Sequence, residues 1–279
     1  MPSHKIISLF LLALTLAFVN PARGQDKPDI DSETETRASK YKDVKRKFWF
    51  NTYGNIRISK RLFWIAQTHL RFEETAGTPY VGQIGQIYNR HAIGYIYDKK
   101  TNFALGGVLR LNFNTDPDSD GPDLLPEYRI WHQYQFAMPL YNAMAYHRIR
   151  IEHRWSKSFG EEDEYIFRNR YRYMFRLKVP LNKPGLQPGA LYIAPESEVI
   201  LQSGKQVVDS PLEDVRLNAT LGYIINPRLT VAGGFMYSFG QTLDDGSVYN
   251  QNYTFRIHLY FSPDLRKVKN KLPSVHFRD

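Results

Sequence analysis

The sequence predicts an all-β chain closed into a transmembrane antiparallel β-barrel of about 12 strands, with 10 as the alternative count. Three observations carry this expectation. Apolar and charged residues alternate with a period of two over most of the chain after residue 46, which is how a strand with one apolar and one polar face reads. Many alternating runs are about 10 to 16 residues long. That exceeds the ~5–6 residues of a soluble strand and meets the ~9–11 that a tilted strand needs to cross a bilayer. The N-terminus, finally, is laid out as an export signal.

That signal comes first in the chain. His4 and Lys5 precede an apolar run from Ile6 to Val19, and Ala22-Arg23-Gly24 gives a small-x-small cleavage pattern before Gln25. The run is too short to span a bilayer comfortably. Residues 1–24 therefore read as a signal peptide, and their removal takes away Lys5 and Arg23, lowering the formal charge from +9 to +7. Residues 25–45 read as a polar periplasmic leader (Asp26, Asp29, Asp31, Glu33, Glu35, then Lys40, Lys42 and Lys45) that could supply a strand. The barrel is expected over 46–262, followed by a basic C-terminal tail over 263–279 carrying Arg266, Lys267, Lys269 and Lys271.

Eleven alternating segments start near Lys47, Arg61, Gly82, Thr101, Leu124, Tyr141, Glu164, Gly189, Leu212, Arg228 and Gln251. The clearest runs from Glu164 to Val179. Tyr165, Phe167, Tyr171, Tyr173 and Phe175 occupy one face, and Arg168, Arg170, Arg172, Arg176 and Lys178 the other. Helical spacing would spread those arginines around every face. Connectors alternate between short (near Ser59, Lys99, Leu140 and Asn226, with Leu181–Pro188 slightly longer) and long (Glu74–Val81, Asn114–Asp123, Ser156–Asp163, Gly204–Pro211 and Thr242–Asn250). Short turns on one rim and long loops on the other belong to outer-membrane barrels. Aromatics near strand ends (Phe48, Phe50, Tyr95, Tyr97, Tyr134, Phe136, Tyr237 and Phe239) would form interfacial girdles. Single-chain bacterial barrels have even strand numbers, so eleven segments imply a twelfth strand from the leader or one segment split or missed.

Composition removes several classes. With no cysteine there is no disulfide framework, no cysteine-ligated zinc or iron–sulfur site, no cysteine nucleophile and no cysteine lipid anchor. The 19 Tyr, 17 Phe and 4 Trp are unlike a long disordered chain. No mature segment offers the ~20 apolar residues of a membrane helix. The excess of 37 Lys and Arg over 28 Asp and Glu is carried along alternating strands, so it does not make the exposed basic stripe of a nucleic-acid binder.

Three stretches carry a family resemblance. They are Tyr128-Arg-Ile-Trp-His-Gln, His147-Arg-Ile-Arg-Ile-Glu-His-Arg-Trp155 and Arg168-Asn-Arg-Tyr-Arg-Tyr173, with Ala194-Pro-Glu-Ser-Glu198 and Leu221–Leu229 later on. Together these resemble a family of predicted outer-membrane proteins labelled domain of unknown function 2490. The likeness extends over roughly Phe48 to Phe261. It implies the outer membrane of a Gram-negative bacterium and implies no activity and no functional residues. Eighteen residues follow Phe261, a departure from barrels that end on a terminal aromatic.

With the apolar face toward lipid, the lumen by parity holds Arg71, Arg90, Arg110, Arg129, Arg148, Arg150, Arg154, Arg168, Arg170, Arg172, Arg176, Arg216 and Arg256. The acids there are Glu73, Glu127, Glu152, Glu196, Glu198 and Asp214. Two readings follow. Arg–carboxylate forks could knit neighbouring strands into a closed lattice, or the surplus of cations could line a narrow pore or cavity that favours a small anionic solute.

Site chemistry is sparse. Outer-leaflet lipid hydrolases of the barrel type set a His two residues before a Ser, and none of His4, His69, His91, His132, His147, His153, His258 or His276 begins such a pair. His153 and Ser156 leave opposite faces of a strand, so His132 and His153 read as polar residues of the lipid face. Asp116, Asp118, Asp120, Gly121 and Glu127 match the oxygen spacing of a twelve-residue calcium loop. Pro117, Pro126 and Asp123 depart from its pattern, and an acidic surface loop is the plainer reading. The sequence thus leads to a non-enzymatic outer-membrane barrel, either a narrow anion-preferring channel or a closed structural or binding barrel. A lipid-modifying hydrolase of the phospholipase or lipid A deacylase type is the alternative. No cofactor is expected beyond Ca²⁺ at the acidic loop. The partners implied are outer-membrane lipid, lipopolysaccharide and the barrel-assembly machinery.

Overall fold

The computed structural model describes residues 41–115, 122–157, 164–205, 207, 210–242 and 248–267. All regular structure among them is strand. In chain order the strands are β1 (Tyr41–Arg57), β2 (Leu62–Thr75), β3 (Thr78–Ile96), β4 (Thr101–Phe113), β5 (Leu124–Leu140), β6 (Ala143–Ser156), β7 (Ile166–Pro180), β8 (Leu191–Ser203), β9 (Leu212–Asn226), β10 (Leu229–Gln241) and β11 (Tyr249–Phe261). Each strand pairs antiparallel with the next, and β1 closes the barrel by pairing parallel with β11.

The strand number is therefore eleven, not the expected 12 or 10. An even count is required only when first and last strands pair antiparallel. A parallel seam satisfies the same backbone groups through slanted bonds, and β1 and β11 stay in register from Val44↔Gln251 to Gly54↔Phe261. Residues 41–45, read as the end of the leader, open β1 instead of making a strand of their own. The seam continues past β11, where Arg57 bridges Asp264 and Leu265 N donates to Arg57 O at 3.0 Å. One consequence is that the chain enters the barrel at the rim of long connections and leaves it at the rim of short turns.

The rims are built as different structures. Short turns join β1 to β2, β3 to β4, β5 to β6 and β9 to β10. The β5–β6 turn places Tyr141 at φ 53°, the left-handed conformation that a two-residue hairpin requires. The β7–β8 connection is pinned by Asn182, whose Oδ1 accepts from Leu191 N at 2.8 Å and whose Nδ2 donates to Gly189 O at 3.1 Å. One expected long loop is absent. Glu74–Val81 is the tip of a continuous hairpin in which Thr75 pairs with Thr78. Its polar composition reflects a tip above the apolar band, where paired strands need no apolar face.

The outer face is apolar, and the inner face is apolar at one end and charged above it. Outside lie Ile93, Leu105, Ile130, Phe167, Tyr173, Leu217, Leu221, Phe255 and Ile257, all exposed. Tyr95, Tyr97, Tyr134 and Phe136 are exposed with them. Inside, the short-turn end is filled by apolar side chains: Phe63, Ile65, Ala92 and Ala104 in a cluster that reaches up to Val108 and Trp131, and Ala190, Tyr192, Ala194 and Ile224 in another. The Phe63 ring lies over Gly94, its cross-strand partner, where a Cβ would approach the ring to 2.2 Å. That glycine is what lets an aromatic fold flat against the barrel wall. Above this floor the interior is charged.

Candidate functional site

The charged interior is organised around Glu152 on β6, whose side chain has 0% exposure. Its parity is that of Arg148, Arg150 and Arg154, so one strand sends an acid and three cations inward. Trp131 on β5 and Arg170 on β7 are its direct cross-strand partners. Five guanidiniums surround the carboxylate: Arg129 at 2.5 Å, Arg172 at 2.9 Å, Arg170 at 3.3 Å, Arg90 at 3.7 Å and Arg150 at 3.9 Å. A buried carboxylate needs such partners because desolvation alone costs several kcal/mol, roughly, per ion. Arg150 lies 4.7 Å and Arg90 5.4 Å from the centre of the fully buried Trp131 ring, which places a π-face beside cations.

Smaller clusters extend the lattice. Glu198 on β8 takes Arg172 at 2.7 Å, Arg148 at 2.9 Å and Arg216 at 3.7 Å. Arg176 pairs with Glu196 at 2.5 Å. Glu127 sits between Arg110, at 3.0 Å, and Arg129. Arg216 also meets Asp214 at 2.6 Å. Arg172 bridges the Glu152 and Glu198 clusters, so β5 to β9 share one network. Arg154 and Arg170 converge on Glu213 at 3.2 and 2.6 Å.

Glu213 is a lumen residue that parity turns outward, and Lys178 is one that parity turns inward without a role assigned to it. Glu213 should face outward beside inward Asp214. The β8–β9 register shifts between Ile200 and Leu201, so that Ile200 faces Asp214 while Leu201 faces Leu212. Glu213 is the extra residue of this bulge, and a bulge turns neighbouring side chains to one face. No sequence signal marks it. Lys178 lies on the inward parity of β7, and its ammonium stands 5.1, 5.6 and 5.7 Å from the rings of Tyr146, Tyr192 and Tyr260.

Three inward arginines have no carboxylate partner among the described residues. Arg168 donates to Ser156 Oγ at 3.3 Å. Arg71 donates to Gln86 Oε1 at 3.0 Å and stacks with its guanidinium carbon 4.0 Å from the Trp49 ring centre. Arg256 reaches Tyr53 Oη at 3.4 Å and Met236 Sδ at 3.7 Å, and lies 5.6 Å from the same Trp49 ring. With its side-chain amide turned by 180°, Asn218 accepts a further Arg256 N–H at 3.3 Å.

The other candidate residues are placed as follows. Asp116, Asp118 and Asp120 lie outside the described residues, and Glu127, the fourth member of that spacing, is engaged by Arg110 and Arg129. Among the described residues no three His, Asp or Glu side chains gather as a metal site. His132 and His153 are on the outer face with ring centres 6.1 Å apart, and His153 Nδ1 is 2.7 Å from Asn169 Oδ1. Ser156 is buried inside against Arg168, across the wall from His153.

The family model for proteins of unknown function, DUF2490, matches residues 46–249. The chain belongs to this family. The DUF2490 match runs from within β1 to the first residue of β11, so it includes every strand that contributes to the Glu152 and Glu198 clusters. No curated protein and no solved structure matches the chain. The DUF2490 assignment brings a fold-length match and no activity with it.

Proposed function

We propose that the protein is an outer-membrane barrel of a Gram-negative bacterium, exported by a signal peptide over residues 1–24. We read it as a closed, non-enzymatic binding or structural barrel and not as an open channel. The reading of the outer face rests on its exposed aliphatic and aromatic residues around a charged interior, with strands of 13 to 19 residues. A soluble protein would leave that apolar surface in water, and monomers rarely expose contiguous apolar patches beyond a few hundred Å², roughly. Outer-membrane lipid and lipopolysaccharide would cover it, and the barrel-assembly machinery would insert it.

The observation that carries the closed reading is Glu152. A carboxylate at zero exposure within 2.5 to 3.9 Å of five guanidiniums supports an interior filled by side chains at its level. Trp131, Arg150, Gln133 and Tyr88 are as fully buried around it. Barrels of this size fill their interior with side chains, in contrast to 16-stranded porins.

Conductance of the detergent-purified, refolded protein in a planar bilayer tests this under a salt gradient. The expected result is a silent bilayer containing correctly folded protein. Discrete steps with anion preference would overturn the closed reading. Extraction of the protein by salt or alkali without detergent would overturn the membrane reading.

A further inference from the structure

The interior cations are not uniformly matched by acids. β3, β4, β10 and β11 contain no acidic residue at all, and β1 and β2 hold only Asp43, Glu73 and Glu74 near the long-loop rim. Glu73 is taken by Lys47 at 2.8 Å and Glu74 by Arg46 at 3.3 Å. Arg71 and Arg256 lie in this acid-poor sector.

They also lie in one row. Trp49 on β1 is the cross-strand partner of Arg71 on β2 and, across the parallel seam, of Arg256 on β11. Two guanidiniums therefore flank one indole at the same height, and the carboxylate-paired Arg216 stands 5.9 Å from the same ring. Their contacts are to neutral groups: Gln86 for Arg71, and Tyr53, Met236 and Asn218 for Arg256. Trp49 is buried at 8% exposure. Its Nε1, together with Arg71 Nε and Arg256 Nε, is buried with no hydrogen-bond acceptor among the described residues. A buried donor without an acceptor costs about 1–3 kcal/mol, and more when it is charged. Here three such donors belong to three adjacent side chains, and an acceptor-rich anion is the class of ligand that would satisfy them.

We propose that the Arg71–Trp49–Arg256 row is a binding site for a small oxyanion, a phosphate or a carboxylate. The donors suit this ligand class. Guanidinium forks match the geometry of oxyanion oxygens, and an indole N–H adds a third direction. Both arginines are half-buried, and their row lies one inward-facing row below Lys47 and Glu73 on the long-loop side. This inference deepens the binding-barrel reading and does not depend on conduction.

The test is calorimetric titration of the full mature protein in detergent at constant ionic strength, with inorganic phosphate and, separately, acetate. Binding of one equivalent of either is expected, and the comparison shows whether a tetrahedral or a planar oxyanion fits. Arg71→Gln and Arg256→Gln should each weaken binding by about tenfold or more, as loss of a charge-assisted hydrogen bond predicts. Arg168→Gln, which also lacks an acid partner but lies outside the row, should leave the affinity within about twofold. Phosphate should change tryptophan emission, and Trp49→Phe should remove that change. If a glutamine variant does not fold, Arg71→Lys and Arg256→Lys keep the charge, lose the fork and are expected to weaken binding in the same direction. No binding of either anion, or undiminished binding in the double glutamine or lysine variant, overturns the proposal. Anion binding in a silent barrel supports both readings. Conductance that is indifferent to Arg71 and Arg256, with no binding, overturns both.

Discussion

Neutralising Glu152 is the sharpest perturbation of this interior. Glu152→Gln keeps the shape of the side chain and removes the one negative charge shared by five guanidiniums. In the wild type its oxygens accept from Arg129, Arg172 and Arg170 at 2.5, 2.9 and 3.3 Å, with Arg90 and Arg150 within 3.9 Å. The glutamine retains one carbonyl acceptor and turns an NH₂ group toward cations. Removing one member of a buried ion pair costs about 3–5 kcal/mol, because the remaining charge stays buried. Several cations share this acid, so the upper part of that range is expected. The barrel can soften the loss where partners have a second acid, since Arg172 keeps Glu198 and Arg170 keeps Glu213. Arg90 has no second carboxylate among the described residues. Arg90→Gln should therefore destabilise much less in the Glu152→Gln background than alone, with a coupling of about 0.5–3 kcal/mol. The assay is equilibrium unfolding in urea from lipid vesicles, followed by tryptophan fluorescence, over the wild type, the two single variants and the double variant. A Glu152→Gln protein within about 0.5 kcal/mol of wild type, the range of an ordinary surface change, would refute the view that this carboxylate holds the interior together.

Three further changes probe the wall and the interior. Gly106→Ala should destabilise by about 1–3 kcal/mol through overpacking, because its Cβ would meet His91 O at 2.0 Å and Ala92 Cβ at 2.4 Å. Gly233→Ala, where a Cβ meets nothing within 4 Å, should be neutral, and equal urea midpoints for the two variants would contradict the packing. Lys178→Met keeps the stem that passes between Tyr146, Tyr192 and Tyr260 and loses the ammonium. The expected loss is about 1–2 kcal/mol of cation–π attraction, read as a lower unfolding midpoint, and an unchanged midpoint would argue against a cation held by that cage.

How much of this was legible follows from what period-two reading can and cannot see. The alternation in Arg168 to Val179 survives as β7 because nothing interrupts its pairing with β6. Starts at Thr101, Leu124 and Leu212 coincide with strand starts, since each follows a turn-rich stretch. Parity also places Arg148, Arg150 and Glu152 on one face, and the side chains there do share the interior. Glu213 escapes because one inserted residue at Ile200/Leu201 breaks parity locally. The tip at Glu74–Val81 escapes because polar residues at the end of a hairpin look like a loop. The count of eleven escapes for a different reason. Closure is a relation between β1 and β11, some 200 residues apart, and no local pattern reports whether two strands meet parallel or antiparallel. Which arginines have acids beside them is equally non-local, because partners such as Arg148 and Glu198 are 50 residues apart.

Strand number and candidate site turn out to be one question. Trp49 touches Arg71 through the β1–β2 ladder and Arg256 through the β1–β11 seam. A twelfth strand at that seam would add about 4.8 Å between β1 and β11 and carry Arg256 beyond reach of the indole. It would also give the sector new side chains, an acid among them if the leader supplied it. The acid-poor sector and the parallel seam coincide in this barrel. Most inward charges between β5 and β9 are matched, Arg168 excepted, while Arg71 and Arg256 stand without acids where the chain closes on itself. An anion whose affinity falls with both Arg71→Gln and Arg256→Gln would thus report that β1 and β11 are neighbours. An anion that responds to Arg71→Gln alone would place Arg256 outside the row and argue against eleven-stranded closure.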